Sequence, residues 1–212
     1  MAQIDLFFTH LPPVTRFYLF AATALMLLCS LDILSPFSLY MNVHFTFYHL
    51  QLWRLVTCFL FFGSFSLPFF WNVYVLIFYC GTLEEQQRSA AFLWMLITTG
   101  TLLLVISSLF GVSSYFYSGS IINVMTYVWG RRIPHTRLSV FFVSVQAPYL
   151  PFVLLLVSLL VGWNLADHLT GIFVGHIYYF FEDVYPLLPT GKGRRIFRTP
   201  RFIYWLLNET PE

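Results

Sequence analysis

Long apolar runs alternate with short polar breaks along this chain, and the runs have the length of helices rather than of half-buried strands. Six runs predict membrane spans at about residues 14–33, 68–82, 90–110, 115–129, 148–161 and 165–181. Ser35-Pro36 closes the first. The long connection over residues 35–66 is rich in His, Phe and Tyr and carries no charge before Arg54. Gly63 and Pro68 break the apolar stretch Leu55–Cys80, so its first half is expected to lie at the interface or re-enter and its second half to cross. A hydrocarbon core about 30 Å thick needs about 20 helical residues; several of these spans are shorter, which thins the bilayer locally. The tail over residues 186–212 turns basic, and Phe202–Leu207 reads as a short interfacial helix. The expected fold is all-α: one membrane domain over residues 1–212, a bundle of six transmembrane helices.

Composition agrees with that pattern. The chain is 58% hydrophobic, 21% aromatic and 9% charged, against about 25% charged residues in soluble domains. A net charge of +2 excludes the basic footprint of a nucleic-acid binder. With both termini in the cytosol, Arg16, Arg88, Arg131, Arg132, Arg137, Lys192, Arg194, Arg195, Arg198 and Arg201 fall on the cytosolic side, and of the eleven cations only Arg54 falls opposite. Cys29, Cys58 and Cys80 sit in apolar surroundings without metal-ligand spacing and read as buried small hydrophobes. Asp5 and Arg16 precede the first run, and no small-residue cleavage site follows it, so it is expected to stay as a span.

The candidate chemistry centres on Asp167-His168-Leu169-Thr170-Gly171-Ile172-Phe173-Val174-Gly175-His176. Gly171 and Gly175, four apart, leave one helix face bare and let a second helix approach closely, and His168 lies one turn before Gly171 on nearly the same face. Ser118-Gly119 opens the fourth span. Thirteen residues separate Ser118 from Arg131, about 20 Å of helix, and fourteen separate His168 from Glu182, about 21 Å, so the two side chains are expected at one depth. A serine in a membrane helix ordinarily bonds its own backbone one turn back; facing an imidazole it makes the minimal nucleophile-and-base pair of a serine hydrolase. Asn72 is expected to bond inward, and Glu84 either caps loop amides or pairs with Arg88. Trp53-Arg54 reads as an interfacial anchor. Thr98, Thr99, Thr101, Ser107 and Ser108 would add polar surface within the bundle. His10, His44, His49 and His135 fall in loops, and His176 reads as a hydrogen-bonded packing residue. No metal or cofactor is expected, because no two histidines share helical ligand spacing.

The chain resembles the derlins, rhomboid-like proteins of the endoplasmic reticulum membrane, from about residue 4 to 205. The resembling residues include Leu11-Pro12-Pro13-Val14-Thr15-Arg16, Gln51-Leu52-Trp53-Arg54-Leu55, Leu83-Glu84-Glu85, Tyr127-Val128-Trp129-Gly130-Arg131-Arg132, Gln146-Ala147-Pro148-Tyr149-Leu150-Pro151 and Gly171 to Pro186. The resemblance implies a rhomboid-like bundle and a pseudoprotease of endoplasmic-reticulum-associated degradation. Such a protein works on misfolded clients beside a membrane ubiquitin ligase complex and a cytosolic AAA ATPase, in contact with membrane lipids and as a homo- or hetero-oligomer.

Derlins generally lack the rhomboid serine and histidine, and this chain departs from that pattern. The rhomboid Gly-x-Ser-Gly motif falls on Phe116 to Gly119, with Ser118 kept and Phe116 in place of the first glycine. His168, Gly171 and Gly175 match the rhomboid His-x-x-Gly-x-x-x-Gly motif in full. The His-x-x-x-Asn motif that helps hold an oxyanion falls on Pro68 and Asn72, so its histidine is missing. Losing one oxyanion donor costs roughly 10²–10³ in rate. Two readings follow: a non-catalytic quality-control factor that eases polypeptides through a thinned membrane, or an active intramembrane protease using Ser118 and His168. A transporter is disfavoured by the lack of inverted repeats and of paired buried charges. Derlin tails often carry a longer ATPase-binding segment; with the chain ending at Glu212, recruitment of the ATPase is expected to go through a partner protein.

Overall fold

The computed structural model describes residues 11–111, 114–140, 143–161, 164–189, 191 and 193–210. The expectations for His10 and Lys192 lie outside the described residues.

Helix α1 spans Pro13–Ser30, with Pro13 at its first position, where its missing N–H and fixed φ are harmless. Two short helices, α2 (Val43–Tyr48) and α3 (Arg54–Leu60), give the connection over 35–66 a fold of its own. Helix α4 runs Leu67–Gln87, starting with Pro68 in its first turn and continuing five residues beyond the 68–82 expected, into the polar segment Leu83–Gln87. Arg88, at φ 70°, is the single-residue hinge between α4 and α5 (Ser89–Phe110), and Gly111, at φ 65°, ends α5 in the left-handed region. Helix α6 spans Ser118–Arg132, shifted by three residues from the expected 115–129.

The chain then departs from an all-α fold. Strands β1 (Arg137–Val140) and β2 (Val143–Gln146) form an antiparallel hairpin with Arg137 opposite Gln146. The short pairing satisfies backbone groups that an unpaired linker would leave to water. A 3₁₀ turn over Ala147–Tyr149 leads into α7 (Leu150–Val161), and α8 follows over Leu165–Tyr179, its start capped by the Asn164 side chain accepting from the Ala166 amide at 3.1 Å. Helix α8 widens into a π turn over Phe180–Val184, and α9 (Arg201–Leu206) closes the fold.

Among the described residues, α1 (18 residues, mean hydropathy 1.4) and α5 (22 residues, mean hydropathy 2.0) are long and apolar enough to cross a membrane. Large apolar side chains such as Phe17, Phe20, Leu109 and Leu160 point outward from the bundle, the reverse of a soluble surface. Helix α6 lies at the centre, buried along nearly its whole length from Ser118 to Gly130. It is also among the more polar helices, and Ser118, Ser120, Asn123 and Thr126 are all enclosed by protein. A helix with polar groups in an apolar solvent is driven to the interior; Ser118 and Thr126 find acceptors there, while the Ser120 hydroxyl has no partner among the described residues. Trp129 anchors its lower half, edge-on to Tyr79 with ring centroids 5.0 Å apart.

The polar residues of α5 line the bundle only in part: Thr99 and Ser107 are buried within it, Thr98 is half-buried, and the other two are not enclosed. The hydroxyls of Thr98, Thr99 and Thr101 bond carbonyls one turn back in their own helix, at 2.8, 2.6 and 2.8 Å, and Thr101 and Ser108 face outward. Such local bonds hide a hydroxyl from lipid without a second helix.

Candidate functional site

Helices α6 and α8 meet along a seam of glycines. A Cβ added at Gly171 would lie 2.6 Å from the Ser120 carbonyl oxygen and 2.7 Å from Asn123 Cβ; one added at Gly175 would lie 3.0 Å from Tyr127 Cβ. Only bare backbone fits there. Gly119, by contrast, faces open space and is exposed, so its place beside Ser118 is not a packing requirement.

The seam sets Gly171 against Ser120, and His168, three residues earlier on α8, therefore comes near the level of Ser118. Level is not pairing, and the expected Ser118–His168 pair is absent. The buried Ser118 hydroxyl donates to the Phe61 carbonyl at 2.7 Å. His168 Nε2 instead meets Ser158 Oγ at 2.6 Å, and that hydroxyl donates to Leu154 O at 2.9 Å. The Ser158 hydroxyl lies between the imidazole and the Leu154 carbonyl, so the side chain that His168 meets is a serine of α7 and not Ser118. Nδ1 is buried without a partner among the described residues. His168 is thus tied to α7 rather than to α6. Ser158 was not singled out in the sequence, although a single polar residue in the apolar run Leu150–Val161, ten before His168, was a usable signal.

Next to Ser118 the connection over residues 35–66 is bound down. The Tyr117 amide donates to Cys58 O at 2.9 Å and the Met41 amide to Tyr115 O at 2.9 Å. The Phe116 ring packs at a tilt against Phe61, with centroids 4.9 Å apart. Burial pushes the Cys58 thiol up to about 12, which keeps it a protonated, unreactive packing group. Asn72 is half-buried on α4 with no hydrogen-bond partner among the described residues, contrary to the inward bond expected of it.

Arg54 is not an exposed anchor. It is 6% exposed, and its guanidinium holds the connection together from inside: Nη1 donates to Phe37 O and Tyr40 O, each at 2.9 Å, and Nε to Gln51 Oε1 at 2.7 Å, over the Tyr40 ring at 5.0 Å. A guanidinium can satisfy three acceptors in different directions, which is why burial beats snorkelling here. Trp53 stays half-exposed, donating from its indole to Ser38 O at 3.3 Å. Arg54→Lys should therefore destabilise the protein by about 2 kcal/mol, since an ammonium cannot replace the fork. Limited proteolysis of residues 35–66 should quicken in the variant; unchanged cleavage would contradict the role given to Arg54.

Glu84 resolves the two roles left open for it. It caps α1: one carboxylate oxygen accepts from the Val14 amide at 2.9 Å and the Ser89 hydroxyl at 2.5 Å, and the other from the Thr15 amide at 2.7 Å and the Thr15 hydroxyl at 2.8 Å. Arg88 turns away and lies 3.8 Å from Glu209. A carboxylate at the positive end of a helix, with donors on both oxygens, is a stable buried charge. At the same end of the molecule, Arg132 donates to Asp183 at 3.0 Å and to Gln87 Oε1 at 2.6 Å, tying α6 to α4 and to the π turn. Tyr127, on the seam, accepts from Arg131 Nε at 3.2 Å and shares its proton with His176 Nδ1 at 2.7 Å.

This is a helical membrane protein whose buried central helix abuts a glycine-faced neighbour, with a serine and a histidine at one level but bonded elsewhere. Comparison with known proteins places it more closely. The Der1-like family model matches residues 11–201. "Derlin-2.1" of Zea mays is 39% identical over 217 residues, covering 96% of this chain and 86% of that protein. "Derlin-2.2" of Arabidopsis thaliana is 37% identical, covering 100% of this chain and 91% of that protein, and "Derlin-1" of Oryza sativa subsp. japonica is 32% identical, covering 93% and 82%. The chain belongs to the Der1-like, or derlin, family.

Proposed function

We propose that this derlin is a non-catalytic component of endoplasmic-reticulum-associated degradation, aiding the recognition and retrotranslocation of misfolded proteins through a locally thinned membrane. The observation that carries the non-catalytic reading is the bonding of Ser118 to Phe61 and of His168 to Ser158. A nucleophile must hand its proton to the base, and here each member is committed to a different element.

In this reading α1, α4, α5, α6, α7 and α8 are the six spans and both termini lie in the cytosol of a multi-pass protein of the endoplasmic reticulum. The one-sided distribution of basic residues supports that orientation. Helix α7 has 12 residues, and α6 and α8 have 15 each, about 18 and 22 Å of helix. That shortfall against a core of about 30 Å supports thinning. A membrane ubiquitin ligase complex and an AAA ATPase reached through another protein are the partners the family resemblance implies. The alternative, a protease acting through Ser118 and His168, has one point in its favour: the seam brings both residues to one level.

The test is depletion of the protein followed by a pulse-chase of a misfolded luminal client, rescued with wild type or with Ser118→Ala. Client decay should slow on depletion and recover equally with either. A Ser118→Ala chain that accumulates normally yet fails to rescue would establish the protease reading. Decay unaffected by depletion would remove the quality-control role.

A further inference from the structure

A cleft of about 1210 Å³ opens beneath the bundle, between the ends of α4 and α6, the π turn and the tail. Five arginines line it, Arg132, Arg194, Arg195, Arg198 and Arg201, against two carboxylates, Glu182 and Asp183, a surplus of three positive charges. Both carboxylates already have cationic neighbours: Asp183 lies 3.0 Å from Arg132 and Glu182 lies 3.9 Å from Arg195. Burial also pushes the Glu182 carboxyl above the usual carboxylate range. Arg194 and Arg201 have no acidic partner among the described residues, and both side chains are exposed.

The tail that carries these arginines is held back over the cleft. Phe197 stacks on Tyr178 with ring centroids 5.6 Å apart. Beyond the arginines, Ile203 and Tyr204 of α9 are buried against Ala90 on α5. The Glu209 carboxylate then accepts from the Ala90 amide at 3.3 Å and lies 3.8 Å from Arg88. With one anchor among the arginines and another just beyond them, the guanidinium groups are gathered before any ligand arrives, which lowers the ordering cost of binding.

We propose that this cleft binds an anionic ligand carrying two or more phosphate groups, with Arg194 and Arg201 supplying the contacts that the internal ion pairs leave unused. Guanidinium forks match phosphate oxygens in pairs, and a single phosphate would not engage arginines on several walls. The volume admits a phosphorylated sugar headgroup. Two sources offer that chemistry: a polyphosphorylated inositol lipid in the adjoining leaflet and a soluble inositol phosphate. The lipid source rests on the orientation proposed above, which puts this end of the molecule in the cytosol; the cleft chemistry does not.

The experiment uses the full chain in phosphatidylcholine nanodiscs, open on both faces. Phosphatidylinositol bisphosphate is compared with phosphatidylserine at matched total charge, and soluble inositol trisphosphate is added in a separate arm. The double variant Arg194→Gln/Arg201→Gln is set against Arg16→Gln/Arg137→Gln, which removes equal charge outside the cleft. Wild type should prefer the bisphosphate lipid over phosphatidylserine, bind less tightly as salt rises, and lose about tenfold in affinity in the cleft variant but not in the control. Binding of inositol trisphosphate as tightly as the lipid would assign a soluble ligand; a need for acyl chains would assign the lipid. Equal losses in the two variants, no preference over phosphatidylserine, or no binding in either arm would overturn the site. These readouts are independent of client decay, so failure here leaves the degradation reading standing, and failure of client rescue leaves the cleft standing.

Discussion

Glu84→Ala should destabilise the folded protein on the order of 4 kcal/mol. Four donors converge on that carboxylate, two of them amides in the first turn of α1 with no other acceptor. The hydroxyls of Thr15 and Ser89 can turn toward their own backbone, but the Val14 and Thr15 amides cannot. Each unsatisfied buried donor costs about 1–3 kcal/mol, and the favourable placement of negative charge at the helix N-terminus is lost as well. Total stabilities of about 5–15 kcal/mol leave little room for that. Thermal melting in detergent should show the loss, and steady-state levels in cells should fall. Glu84→Gln keeps the shape and one carbonyl oxygen but turns an NH₂ toward donors, so it should fall between wild type and alanine. A Glu84→Ala protein that melts with wild type would show that α1 is held by apolar contacts alone.

The second large effect lies at the seam, where a graded series is expected. Gly171→Ala puts a methyl against the Ser120 carbonyl and Asn123 Cβ, both parts of α6 that can yield only by moving the helix. It should cost about 2–3 kcal/mol. Gly175→Ala meets Tyr127 at 3.0 Å, where a slight shift of the ring and its Cβ relieves the clash, and about 1 kcal/mol is expected. Gly119→Ala meets nothing within 4 Å and should be neutral or slightly stabilising, by up to about 1 kcal/mol, from helix propensity. Melting temperatures of the three variants check the order. The inverse ranking, or three equal values, would mean that α6 and α8 are not held at the distance seen here.

Much of the architecture was legible along the chain because it depends on local rules. Apolar runs in a chain with 9% charge announce helices for an apolar solvent, and their approximate places follow from Pro, Gly and polar breaks. The glycine spacing at 171 and 175 announced a close neighbour, because a bare stripe on a buried helix has no other stable use. The hairpin over Arg137–Gln146 was missed, since a four-residue strand with one partner looks like any polar linker until the partner is found. The end of α4 was missed because a helix leaving the apolar region gives no hydropathy signal, although Glu84 owes its role to that extension.

The candidate site shows where sequence reasoning stops. Counting residues along two helices gives depth, and depth placed Ser118 and His168 together. Rotation about each helix axis, and the presence of third elements, are properties of the assembled bundle. Ser158 on α7, ten residues before His168, and the Phe61 carbonyl beyond α3, 57 residues before Ser118, reach the two side chains first. Arg54 makes the same point with charge. Its type and position suggested an interface, but carbonyls at Phe37 and Tyr40, brought round by the folded connection, made the interior the better solvent. The sequence by itself determined the membrane-type helical class, the approximate helices and the glycine seam, because spacing and hydropathy act over one or two turns. Only the tertiary structure decided which acceptor each hydroxyl and cation takes, because hydrogen bonds are short and directional and their partners arrive from distant parts of the chain.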